Sequence, residues 1–106
     1  MEEISATEAA QMLRDQPEQT ILLDVREAME LEMAAVAGAL HIPMGEIPGR
    51  LGEIDASKTI ICLCRSGGRS AQVAEFLLAQ GCAKAVNLTG GIHAWSDQVD
   101  SSIPKY

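Results

Sequence analysis

Nowhere does the sequence of 106 residues hold an apolar run approaching the ~20 residues that a membrane-spanning helix needs. Basic residues are scarce as well: 8 Lys and Arg stand against 15 Asp and Glu, for a net charge of −7. A nucleic-acid backbone or an anionic membrane surface asks for a basic face, so neither partner is expected. Cysteine is limited to 3, an odd number that excludes a disulfide scaffold. The opening Met1-Glu2-Glu3 is acidic where an export signal is basic, so reduced thiols and a cytoplasmic location are the expectation. No C-x-x-C or H-x-x-x-H spacing joins Cys62, Cys64, Cys82, His41 and His93, so no metal site is expected.

What is present is an ordinary globular balance, 47% apolar and 22% charged, unlike a disordered or collagen-like chain. One domain is expected over residues 1–106, with its core over about 3–99 and a short C-terminal tail. Ser5-Ala6-Thr7-Glu8 reads as a capping box, and Ala9, Ala10, Met12 and Leu13 continue an apolar stripe to about Gln16. Pro17 stops that helix. Thr20–Val25 and Thr59–Cys64 are short, nearly unbroken apolar runs, the pattern of strands covered on both faces. Ala85–Leu88 is a third. Glu27–Met33, Ala71–Gln80 and Ile92–Val99 are helix-prone, and Gly38–Pro43 reads as turn, short strand, turn. Met44–Ile54 reads as a loose helical stretch broken by Gly and Pro. This alternation predicts an α/β fold, an open parallel sheet with helices on both faces. Such sheets bind ligands at the carboxyl ends of their strands, which directs attention to the segment after Leu63.

There Cys64 closes a buried strand, and Arg65-Ser66-Gly67-Gly68-Arg69-Ser70 leads into a helix. Two glycines let successive N–H groups converge, and the helix start adds its own free N–H groups and positive dipole end. A thiol there has its thiolate favoured, and Arg65 and Arg69 strengthen the effect. Thiolate, anion cradle and guanidinium groups together describe nucleophilic attack on a small anionic substrate. Cys62, one residue back inside the strand, and Cys82 are expected to pack rather than react.

Cys64–Ser70 resembles the active-site loop of the rhodanese sulfurtransferases. Asp24-Val25-Arg26-Glu27 with Glu30 and Leu31, Gly38–Pro43, and Asn87–Ile92 followed by Ala94-Trp95 resemble further motifs of that family, in the family's order. The resemblance implies a rhodanese-like fold and no metal or organic cofactor. It implies that Cys64 takes sulfane sulfur from thiosulfate or a similar anionic donor and passes it, through a persulfide, to a thiol, to cyanide, or to a protein sulfur acceptor. Arg65 is then the best-placed side chain for the donor's anionic end, with Ser66, Gly67, Gly68 and Ser70 forming the cradle. Arg69 either binds substrate or braces the loop against a carboxylate. Asp24 and Arg26 are assigned to structural support near the site.

Cysteine phosphatases place their arginine one residue later, where this chain has Ser70; the shorter cradle suits a sulfur atom better than a phosphate. Two alternatives stay open: a sulfur carrier of the same fold loaded by a protein partner, and an oxyanion reductase of the arsenate type. The chain departs from the family at Ala34–Ala37, where His, Ile and Pro are common, and at Ala28 and Met29 after the Arg-Glu pair. The apolar stretch from Met29 to Ala37 is open to two readings, core packing or a surface for a protein partner.

Overall fold

The computed structural model describes all of residues 1–106. Five strands, β1 (Glu2–Ile4), β2 (Thr20–Asp24), β3 (Leu40–His41), β4 (Thr59–Leu63) and β5 (Lys84–Leu88), pair in parallel in the order β1-β5-β4-β2-β3. The helices are α1 (Ala6–Asp15), α2 (Ala28–Met33), α3 (Gly68–Ala79) and α4 (Gly91–Gln98), with 3-10 turns at Met44–Glu46 and Pro48–Glu53. The open parallel α/β sheet is as expected. Parallel strands need crossover connections, and the chain supplies helices for them on both sides.

Strand alternation divides the core into two layers. Ile60, Cys62 and Cys64 of the β4 run face Val73, Ala74 and Leu77 of α3. Ile61 and Leu63 face the other way, towards Ala6 and Ala9 of α1 and Ile92 and Trp95 of α4. Covered on both faces, the central strands can be apolar at successive positions, which is why their sequences show no alternation. Ser5 caps α1 as expected: its hydroxyl accepts the Glu8 N–H at 3.0 Å while the Glu8 carboxylate accepts the Ser5 N–H at 3.3 Å.

Two features go beyond the expected pattern. Strand β1 goes unannounced, because only Ile4 of Glu2-Glu3-Ile4 is buried and its pairing partner β5 lies far along the chain. Helix α3 begins at Gly68, in agreement with a helix start expected near Gly68 or Arg69, and Gly67 caps it. The Met29–Ala37 stretch divides between both readings: Ala34 is buried and Val36 packs on the core, whereas Met29 and Met33 are 63% and 50% exposed. The tail folds back on the molecule. Ile103 is buried, Ser96 donates to its carbonyl at 2.7 Å, and Tyr106 reaches the carboxyl end of the sheet. No helix is long and apolar enough to cross a membrane.

Candidate active site

Cys64 follows β4 directly, at the carboxyl end of the sheet, with only 1% of its surface exposed. Its Sγ accepts the Gly67 N–H at 3.1 Å and the Ser70 hydroxyl at 3.2 Å. The turn that allows this places Gly67 at φ +116°, a conformation that side chains resist. The loop is fixed from behind by α4, whose Ile92 N–H donates to the Cys64 carbonyl at 2.9 Å. Gly91 makes that approach possible, since a Cβ there would lie 2.5 Å from the Cys64 and Arg65 carbonyl oxygens. One helix start therefore holds the sulfur, and another holds the backbone that carries it.

Burial opposes ionisation of the Cys64 thiol. The Ser70 hydroxyl, followed by the N–H groups of Ser70, Gly67 and Ser66, outweighs burial and holds the thiol below its ordinary range. Cys62, on the same strand face without such donors, is pushed up to about 12 by burial. Burial also raises Cys82. All three cysteines are free.

The two loop arginines lie differently. Arg69 clasps the Glu30 carboxylate with both ends of its guanidinium, at 2.6 and 2.9 Å. That contact, and after it the Tyr106 hydroxyl, outweighs burial and takes Glu30 down to about 2. Arg65 has no Asp or Glu partner; it donates to the main-chain oxygen of Tyr106 and lies over the Tyr106 ring, 5.0 Å from its centroid. Ser66 and Gly68 are exposed at the mouth, and Ser70 is fully buried beneath it.

Asp24 and Arg26 form a buried bidentate pair, Nε to Oδ1 at 3.0 Å and Nη2 to Oδ2 at 2.7 Å. The remaining Arg26 donors reach the Ala34 carbonyl at 2.9 Å, the Glu30 carbonyl at 3.3 Å and the Tyr106 hydroxyl at 2.8 Å. The pair thus ties the end of β2 to α2, to the chain after it and to the tail. His41 Nε2 lies 2.7 Å from the Arg26 carbonyl oxygen, and His93 Nε2 lies 3.0 Å from that of Tyr106.

Four residues of the site escaped the sequence reading in these roles: Glu30, Asn87, Glu3 and Tyr106. Asn87, buried on β5, accepts the Ser70 hydroxyl at 2.6 Å and donates to Glu3 at 2.9 Å and to the Gly67 carbonyl at 3.1 Å. The one available signal was a polar residue inside an apolar strand run, Ala85-Val86-Asn87-Leu88.

Fold and loop together define an open α/β protein that presents, at the strand ends, a cysteine whose sulfur receives a main-chain N–H and a hydroxyl. The chain belongs to the rhodanese-like domain family, whose model matches residues 5–98. It is 38% identical to a sulfurtransferase of Allochromatium vinosum over 89% of this chain and 87% of that one. It is 36% identical to the putative sulfur carrier protein YrkF of Bacillus subtilis over 88% of this chain, which spans 50% of YrkF. The crystal structure of a rhodanese-like domain protein from Staphylococcus aureus superimposes with a TM-score of 0.84 at 33% identity, covering 100% of this chain and 99% of that one. Family and relatives support a role in sulfur transfer.

Proposed function

We propose that this chain is a thiosulfate-type sulfurtransferase that works through a persulfide on Cys64. The Cys64 thiolate attacks the outer sulfur of thiosulfate, the S–S bond of the donor breaks, and sulfite leaves with the bonding pair. A nucleophilic acceptor, a cellular thiol or cyanide, then attacks the outer sulfur of the persulfide and returns Cys64 as thiolate. Sulfur moves without net oxidation of the enzyme. The observation that carries this reading is the convergence of the Gly67 N–H and the Ser70 hydroxyl on Cys64 Sγ at 3.1 and 3.2 Å. These donors favour the attacking thiolate, and the loop's N–H groups are assigned to the outer sulfur of the persulfide formed on it.

Arg65, paired with no Asp or Glu side chain, is assigned to the sulfonate end of the donor, and Ser66 and Gly68 line the same mouth. Arg69, clasped by Glu30, keeps the loop braced on α2. Three unpaired cysteines suit a reducing, cytoplasmic setting. Cys64→Ser is expected to abolish thiocyanate formation from thiosulfate and cyanide with the circular dichroism spectrum unchanged; a variant with full activity would refute the assignment. Arg65→Ala is expected to raise the KM for thiosulfate more than it lowers kcat.

A second reading rests on α2, where Met29 and Met33 are exposed beside the Glu30–Arg69 clasp. A protein that loads or unloads Cys64 could seat there, and Met side chains adapt readily to partners. In that case free thiosulfate would be a poor donor.

A further inference from the structure

Ser70 has a single hydroxyl proton and two neighbours that want it. Its oxygen lies 3.2 Å from Cys64 Sγ and 2.6 Å from Asn87 Oδ1. The orientation of the Asn87 amide is not free: its nitrogen donates to the Glu3 carboxylate at 2.9 Å and the Gly67 carbonyl at 3.1 Å, both of which can only accept. The amide oxygen therefore faces Ser70, and as an acceptor it can take nothing there but the hydroxyl proton. Ser70 is 0% exposed and Asn87 3%, so water does not supply a substitute.

We infer that Asn87 is a positioning residue for the proposed persulfide chemistry, competing with Cys64 for the Ser70 hydroxyl proton and thereby limiting how readily the thiolate forms. With Cys64 protonated, Ser70 donates to Asn87 and its lone pairs can receive the S–H. With Cys64 ionised, the proton swings to Sγ and the Asn87 oxygen is left short of a partner. Once Sγ carries a second sulfur, negative charge moves outward to that atom, and the hydroxyl returns to Asn87. Glu3, which also accepts the Thr89 hydroxyl at 3.0 Å, polarises the amide and strengthens its hold on the proton.

Other charged and titratable groups lie at this end of the sheet: Arg69 and Arg65 from the loop and α3, Cys62 on the same face of β4, and the Asp24–Arg26 pair from β2. Glu30 on α2, Glu3 on β1, His93 on α4 and Tyr106 of the tail complete the set. Asn87→Leu also takes a donor from Glu3 and from the Gly67 carbonyl, but it does so with or without Ser70, so that effect and the influence of the other groups cancel in a cycle of variants.

The inference rests on the persulfide reading for its purpose, yet its test needs no sulfur donor. Iodoacetamide labelling of Cys64 is followed against pH by peptide mass spectrometry in the wild type, Ser70→Ala, Asn87→Leu and the double variant. Ser70→Ala is expected to raise the thiol midpoint by roughly one pH unit, about a tenfold loss of thiolate at a fixed pH below it. Asn87→Leu is expected to lower it, giving roughly threefold faster labelling at the same pH. In the double variant the Asn87 effect should shrink to the part that passes through Gly67 and Glu3, because the competition for the proton acts through the hydroxyl alone. An Asn87 effect of equal size with and without Ser70 would overturn the inference and leave Asn87 as a support of Gly67. So would a raised midpoint in Asn87→Leu.

Should Asn87→Leu fail to fold, NMR of the Asn87 side-chain amide in the wild type and Ser70→Ala answers the same question. Its resonances should titrate with Cys64 in the wild type and much less in Ser70→Ala; equal titration in both would overturn the inference. If this cycle holds and no persulfide forms, the proton competition stands and the sulfur-transfer reading falls.

Discussion

The Tyr106 hydroxyl donates to Glu30 at 2.6 Å while the ring of the same residue lies beneath the Arg65 guanidinium, 5.0 Å away. One aromatic residue thus connects both loop arginines, Arg65 directly and Arg69 through Glu30. Its hydroxyl also accepts from the buried Arg26 at 2.8 Å. Removing the ring should therefore loosen Arg65 more than it disturbs Cys64.

Tyr106→Ala is expected to raise the KM for thiosulfate about 3–10-fold, in keeping with the strength of a partly exposed cation–π contact, with a smaller fall in kcat. Tyr106→Phe keeps the ring over Arg65 and should recover most of that KM. Steady-state kinetics on both variants check this; a KM unmoved in Tyr106→Ala would show that Arg65 keeps its place without the ring.

The Glu30–Arg69 clasp gives a pH signature of defined sign. Glu30 is held at about 2 in the folded chain against an ordinary value of 4.5, so the carboxylate form is bound more tightly in the folded state. Its stabilising effect is full above 4.5 and is lost as pH falls towards 2. Thermal midpoints measured across that range should fall less steeply in Glu30→Gln than in the wild type. Parallel curves would contradict the assignment.

Asp24→Ala leaves the Arg26 guanidinium, 0% exposed, without its carboxylate. Loss of one member of a buried pair costs about 3–5 kcal/mol, and urea unfolding should show a loss of that order. Activity per folded molecule should fall too, since Arg26 ties α2 to the site through the Glu30 carbonyl.

The residues that were legible in the sequence are those whose chemistry is local. The runs of β2 and β4 are apolar because both faces are covered, and Cys64-Arg65-Ser66-Gly67-Gly68-Arg69-Ser70 places thiol, turn and helix start within one segment. What stayed hidden depends on distance along the chain. Asn87 meets Ser70 across 17 positions, and Tyr106 meets Arg26 across 80. No periodicity or spacing records such pairs, because only the sheet order brings β5 beside β4 and folds the tail over the strand ends. The sequence predicts a short strand for β3, but its length of two residues is set by pairing with Leu23 and Asp24. Local sequence around Leu40 does not contain that limit.

The most direct test is the intact mass of the wild type and Cys64→Ser after brief exposure to thiosulfate, before and after cyanide. A Cys64 persulfide predicts a gain of one sulfur, ~32 Da, on the wild type alone, removed by cyanide with release of thiocyanate. A wild-type chain that gains no sulfur from thiosulfate, while Cys64 still alkylates readily, would contradict the persulfide enzyme and favour a carrier loaded by a protein partner.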